Sequence, residues 1–127
     1  MSDPVEQWGR DADGNFEPYR LAHALQQKGE DWANKAAAAD LLEKTSPAVL
    51  AQLTNEIRAA EGGSRKVAED LALGSAAYLE HIQARVEARR VANIARANYD
   101  AIRVLIDAMR TVEATRREEL KSYRGGR

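Results

Sequence analysis

The apolar residues of this chain recur every three or four positions, which is the spacing of an amphipathic helix. After Pro18, a residue suited to the first turn of a helix, Tyr19, Ala22 and Leu25 fall on one helical face. No segment shows sustained alternation of apolar and polar residues, so the pattern predicts no β-strand. The chain is therefore expected to be all-α.

Turn-forming residues divide the first part of the chain and predict several short helices there. Gly29 is expected to end or bend the first helix, and Thr45-Ser46-Pro47 to stop one helix and start the next. Gly62-Gly63 should end that helix, after which Ser64 can cap a short helix that runs to Leu73.

The segment from about 75 to 123 contains neither proline nor glycine and predicts one long helix. Its 49 residues would extend ~73 Å at ~1.5 Å per residue, whereas a compact domain of this size has a radius of gyration of only ~14 Å. We therefore expect this helix to associate with other copies of the chain. One domain is predicted, with a flexible acidic arm at 1–15, a short-helix region at 16–74 and the long helix with a basic tail at 75–127.

The long helix carries apolar residues at alternating steps of four and three, which is typical of a left-handed coiled coil. Further apolar residues widen this seam, and such a width suits a bundle of three or more helices. Asn98 occupies a core position of the seam, where it either fixes the register or lies at a solvated point. The candidate oligomer interface consists of Val91, Ala95, Asn98, Tyr99, Ile102, Leu105, Ile106, Met109 and Val112.

Arginine recurs at every seventh position of the same helix, from Arg89 to Arg124. The central arginines lie three or four residues from Asp100 or Asp107, so intrahelical ion pairs can neutralise them. The ladder is either the solvated side of a coiled coil or, at its two ends, a contact for a polyanion. The candidate nucleic-acid-binding residues are the amino-end cluster, Arg85, Arg89 and Arg90, and the carboxyl-end cluster, Arg116, Arg117, Lys121 and Arg124.

Charge is unevenly distributed along the chain. Residues 1–63 hold 6 Lys+Arg against 11 Asp+Glu, and residues 64–127 hold 13 against 9. This asymmetry favours an interacting, basic second half. The net charge of −1 favours protein partners instead, because nucleic-acid-binding domains usually carry a basic excess.

No catalytic or metal-binding constellation is present in the sequence. The chain has no cysteine, and its two histidines, His23 and His81, lack the spacing of metal ligands. We therefore expect a non-enzymatic protein without cofactor, metal or small-molecule substrate. No apolar run approaches ~18 residues, so we also expect a cytoplasmic protein that does not bind membranes.

Residues from about 41 to 120 resemble a family of small all-helical bacteriophage proteins of replication and recombination modules, whose function is unknown. The segments that carry the resemblance are LLEKTSPAVLAQL, GGSRKVAEDLALGSAAYLEHI and NYDAIRVLIDAMRTVEATRREEL. The arrangement is also similar to the T-even phage recombination mediator, with Tyr78 opening a long Ala/Arg-rich helix that contains Tyr99.

The resemblance implies an oligomeric accessory factor that contacts single-stranded DNA, a recombinase or a single-strand-binding protein in the host cytoplasm. The acidic arm could then compete for the basic surface or dock on a basic partner. The competing interpretation is a protein–protein interaction device that binds no nucleic acid. Such a device could be a coiled-coil scaffold, a virion component or a phage-encoded inhibitor of a host system.

Overall fold

The computed structural model describes residues 17–125, and 94% of them are helical. Three helices follow one another: α1 (Pro18–Glu61), α2 (Arg65–Leu73) and α3 (Ala76–Gly125). No strand occurs in this described range. The all-α prediction and the prediction of a long C-terminal helix are confirmed, whereas the predicted arm at 1–15 lies outside the described residues.

The expectation of several short helices before the first glycine pair is wrong, because α1 is a single helix of 44 residues that includes Pro47. Thr45 and Ser46 do not cap a new helix. The Thr45 hydroxyl donates to the Leu41 carbonyl at 2.8 Å, and the Ser46 hydroxyl donates to the Leu42 carbonyl at 3.0 Å. A proline inside a helix removes one backbone hydrogen bond. These hydroxyl groups add hydrogen bonds to the turn that precedes it.

Gly29 does not interrupt α1 either, and its small size has a packing reason. A Cβ atom built at Gly29 would lie 3.3 Å from Cε2 of Tyr99, so the tyrosine ring occupies the space that a side chain would need. Glycine costs ~1 kcal/mol relative to alanine inside a helix. The close approach of the Tyr99 ring explains why this position nevertheless carries glycine.

Replacing Gly29 with leucine should lower the free energy of unfolding by about 1–3 kcal/mol, because the new side chain must displace the Tyr99 ring. Urea denaturation followed by circular dichroism measures the change. Ala33→Leu is the matched control, since it adds the same side chain at an exposed position of α1. The control should change stability by no more than about 0.5 kcal/mol. Equal losses in both variants would contradict the packing role.

The predicted caps do set the boundaries between the helices. Gly62-Gly63 adopt φ values of 73° and 89°, as the left-handed end of a helix requires. The Ser64 hydroxyl accepts a hydrogen bond from the Val67 backbone N–H at 3.2 Å and caps α2. The Ser75 hydroxyl accepts from the Tyr78 N–H at the same distance, so α3 begins with an equivalent cap.

The described residues fall into two compact units, and the first combines residues 17–31 with residues 95–125. Its α1 segment buries Leu21, and its α3 segment buries Ala95 and Ile102. The inward positions of α3 in this unit alternate in steps of four and three residues. We call them the packed series; they are Ala95, Tyr99, Ile102, Ile106 and Met109.

The second unit comprises residues 32–94 and contains all of α2. Its buried apolar residues are all alanine, and its buried polar residues are Ser46 and Thr54. The Thr54 hydroxyl donates to the Leu50 carbonyl at 2.8 Å, which satisfies it inside the helix. The buried alanines are Ala39, Ala68, Ala72 and Ala92.

Large apolar side chains contribute little to either core. Among the described residues, Leu21 and Ile102 are the largest fully buried side chains, and the other buried apolar residues are alanines. Twelve large apolar side chains are instead 47–82% exposed. Stabilisation scales with the apolar area removed from water. A single chain leaves many of its large apolar side chains exposed to water, where they contribute little to stability. Oligomerisation would bury part of this apolar surface. The oligomer itself stays a prediction.

Candidate functional site

The amino-end cluster lies on α3 in the unit of residues 32–94. Arg85, Arg89 and Arg90 line the same shallow groove of about 390 Å³, together with Val86, Asn93 and Glu43. The structure therefore brings the three predicted residues together. Their charges, however, are engaged by other groups of the same unit.

Arg89 bridges two carboxylates of α1. Its Nη2 lies 2.6 Å from Oδ1 of Asp40, and its Nε lies 2.9 Å from Oε1 of Glu43. The hydrogen bonds donated to Glu43 and Asp40 raise the pKa of Arg89 above its already high ordinary value, so the guanidinium stays charged. Arg89 therefore joins α1 to α3. Because its guanidinium is already paired with two carboxylates, it offers little net positive charge to an anionic ligand.

Arg90 and Arg85 are also occupied. Arg90 donates to both carboxylate oxygens of Glu87, at 2.7 and 3.0 Å, in a bidentate pair. The hydrogen bond from Arg90 lowers the pKa of Glu87 below its ordinary value. Arg85 donates to the Ser46 hydroxyl at 3.0 Å. The chain folds back and brings the α1 carboxylates of Asp40 and Glu43 beside this cluster.

Ser46 and His81 form a close polar pair beside Arg85, with Oγ of Ser46 2.8 Å from Nε2 of His81. The Ser46 hydroxyl lies 3.0 Å from the Leu42 carbonyl oxygen and accepts from Arg85, and its role toward His81 depends on the histidine tautomer. The pair joins α1 to α3 within the unit.

The central ladder shows one of the predicted intrahelical ion pairs within the described chain. Nε of Arg96 lies 3.8 Å from Oδ2 of Asp100. Arg103 instead places its guanidinium 6.0 Å from the centroid of the Tyr99 ring, at the outer limit of a cation–π contact. Arg103, Asp107 and Arg110 line a second groove, which is described below.

The carboxyl-end cluster has a different environment. Arg116, Arg117 and Arg124 are exposed, and none has an ion-pair partner among the described residues. Lys121 lies 3.8 Å from Glu118, a loose pair between two largely exposed side chains. This cluster therefore keeps a surplus of positive charge in contact with water.

The sequence explains why packing stops before this cluster. The packed series continues in steps of four and three beyond Met109, and the next two positions are Glu113 and Arg116. Charged side chains there cannot join an apolar core without a large desolvation cost. From Arg110 onward, every described residue except Glu113 is accordingly exposed.

The packing of the chain on itself buries some residues of the predicted oligomer interface and leaves others exposed. Ala95 and Ile102 are buried within their own unit, whereas Asn98 and Val112 are exposed. Asn98 therefore lies outside the core of the single chain. The remaining members of the predicted interface are half-buried: Val91, Tyr99, Leu105, Ile106 and Met109.

Another side of α3 presents apolar residues, of which Val112 alone belongs to the predicted oligomer interface. They recur at steps of three or four residues, carry no charge and are all exposed. Val104 and Val112 are the largest of them, at 67% and 65% exposed. Their spacing of three or four residues is visible in the sequence and indicates a second apolar side of the helix. We call this surface the exposed apolar stripe; it consists of Ala97, Ala101, Val104, Ala108 and Val112.

Within the described range, no three His, Asp or Glu side chains are grouped so that they could hold a metal ion. No helix in that range is long and apolar enough to cross a membrane. Comparisons with models of protein families, with curated proteins and with solved structures find no match. A functional assignment therefore depends on the charge and geometry of the chain.

Proposed function

We propose that this chain is a non-enzymatic, homo-oligomeric accessory factor that binds single-stranded DNA through the carboxyl-end cluster. The observation that supports the proposal is the exposure of Arg116, Arg117 and Arg124, which have no ion-pair partner within the described chain. The resemblance to phage replication and recombination proteins gives the context, a factor that works beside a recombinase or a single-strand-binding protein.

The helix dipole does not account for the whole cluster. Basic side chains stabilise a helix when they lie in its last turn, and Arg124 is in that turn. Arg116 and Arg117 lie two turns further from the end of α3 at Gly125, where this effect has decayed. An anionic ligand would give Arg116 and Arg117 the partner that they do not have within the described chain.

Binding of this kind would be electrostatic and indifferent to base sequence, because arginine and lysine contact phosphates. One chain offers four basic residues beside Glu118 and Glu119, which is a weak contact. An oligomer would present several such clusters to one strand. Several linked contacts raise the overall affinity well above that of one cluster. Oligomerisation and nucleic-acid binding therefore support each other.

The proposal predicts salt-sensitive binding by the wild-type protein. Fluorescence anisotropy with two single-stranded oligonucleotides of unrelated sequence should give equal affinities at low salt. Each phosphate neutralised should contribute ~0.7 to the slope of log affinity against log salt. Absence of salt-sensitive binding at low ionic strength would reject the proposal, and a strong preference for one oligonucleotide would reject its electrostatic basis.

A second candidate function is a protein–protein interaction device without nucleic acid, and the exposed apolar stripe favours it. A series of uncharged residues along one side of a helix suits another helix. An oligomeric mass together with no measurable DNA binding would identify this second function.

A further inference from the structure

The groove on the unit of residues 17–31 and 95–125 has a volume of about 470 Å³, within the range of ligand-binding pockets. Its walls are apolar side chains from the first two turns of α1 and from Ile106 on α3. Arg103 and Arg110 line it as well, with Asp107 between them. The α1 residues that line it are Pro18, Leu21, Ala22 and Leu25.

We propose that residues 1–16 of the same chain dock in this groove and that the indole of Trp8 is the apolar anchor. The first lining residue, Pro18, is two positions beyond this segment, so the segment enters at the groove itself. Trp8 is ten positions before Pro18, and ten residues reach up to ~33–36 Å when extended. The lined part of α1, from Pro18 to Leu25, is only ~10 Å long. The segment is therefore long enough to place Trp8 anywhere in the groove.

Charge complementarity supports this occupant. Residues 1–16 carry four carboxylates and one arginine, Arg10. Arg103 and Arg110 have no ion-pair partner within the described chain, although Asp107 lies between them along α3. A negatively charged segment would supply the missing partners. The carboxylates are Asp3, Glu6, Asp11 and Asp13.

The chemistry of the walls supports an aromatic anchor. Trp8 offers the largest apolar surface in the segment, together with an N–H that can stay at the rim. An indole would cover Leu21, Leu25 and Ile106, while the neighbouring carboxylates face the two arginines. The inference concerns this groove alone and does not depend on DNA binding.

Tryptophan fluorescence tests the docking directly, because the chain has two tryptophans, Trp8 and Trp32. The Trp32→Phe protein reports on Trp8 only, and acrylamide quenching measures whether its indole is accessible. We expect Trp8 to be protected in the folded protein and to lose that protection in urea. The protection should not change with protein concentration, because the segment and the groove belong to one chain.

Two variants in the Trp32→Phe background test the site. Ala22→Phe places a ring in the groove from an exposed position, and quenching of Trp8 should then rise to the value of the urea-unfolded chain. Arg110→Glu reverses a rim charge and should raise quenching part of the way. Arg117→Glu makes the same charge change one heptad further along α3, outside the groove, and should leave quenching unchanged.

Each other outcome overturns the proposal. Equal quenching in the folded and unfolded protein would show that Trp8 is not docked. Protection that survives Ala22→Phe would place Trp8 at another surface. Protection that appears only at higher protein concentration would show that the groove binds the segment of a second copy. Circular dichroism of each variant confirms that the helices are intact, and no nucleic acid is present in the experiment.

Discussion

Replacing Ile102 with alanine should lower the free energy of unfolding by about 2–5 kcal/mol. Ile102 is 0% exposed and is one of the two largest fully buried side chains among the described residues. Its truncation leaves a cavity in the core of the unit of residues 17–31 and 95–125, whose other buried apolar residues are Leu21 and Ala95. Urea denaturation at one fixed protein concentration measures the change, because the stability of an oligomer depends on concentration.

Val86→Ala is the control for this prediction. Val86 lies on the same helix but is 61% exposed, so its truncation removes little buried area. Its effect should stay within about 0.5 kcal/mol. A loss for Val86→Ala as large as that for Ile102→Ala would show that the core of the single chain is assigned to the wrong residues.

Replacing both Val104 and Val112 with aspartate should split the oligomer into monomers. Both side chains belong to the exposed apolar stripe, so the single chain gains two solvated carboxylates at no structural cost. In an oligomer that covers the stripe, each carboxylate would be desolvated without a partner, which costs several kcal/mol. Light scattering at micromolar concentration should give an oligomeric mass for the wild type and a monomeric mass for the variant.

The matched control is Gln83→Asp with Asn93→Asp, which adds two carboxylates to exposed polar positions of α3. Its mass should equal that of the wild type. Circular dichroism should show full helicity in both variants. A monomeric wild type would refute oligomerisation, and splitting by the control as well would move the interface away from the exposed apolar stripe.

Residues that act through their immediate neighbours were predictable from the sequence. Ser64 caps α2, and Gly62-Gly63 end α1 with positive φ, because a cap depends on only a few adjacent residues. The long helix from about 75 was predictable for the same reason, since no residue inside it interrupts helical hydrogen bonding.

Residues that act through distant parts of the chain were not predictable. Gly29 was interpreted as a break, yet it accommodates the ring of Tyr99, which is seventy positions away. Arg89 was interpreted as a candidate contact for nucleic acid, yet it is paired with Asp40 and Glu43, which come from another helix. Pattern and spacing report on local structure only, and both errors involve contacts that form when α1 packs on α3.

The predicted seam combines buried and exposed positions of α3 for a related reason. Apolar residues cover more than one side of α3, and an alanine fits a buried or an exposed position equally well. Ala95, Tyr99, Ile102 and Ile106 were all predicted for the oligomer interface, and they lie in the packed series of the single chain. Asn98 and Val112 were assigned to the same seam and are exposed in the single chain. Their place in an oligomer stays a prediction.

We propose that the carboxyl-end cluster, and not the amino-end cluster, contacts single-stranded DNA. The salt dependence of DNA binding tests this in two triple variants that lose the same positive charge. The first variant changes Arg116, Arg117 and Arg124 to glutamine. The second variant changes Arg85, Arg89 and Arg90 to glutamine. The first triple should flatten the slope of log affinity against log salt by up to ~2 and weaken binding equally for all sequences. The second should leave the slope unchanged, because its arginines are engaged by Ser46, Asp40, Glu43 and Glu87. Equal flattening of the slope by the two triple variants, or a change confined to the second variant, would contradict DNA binding by the carboxyl-end cluster.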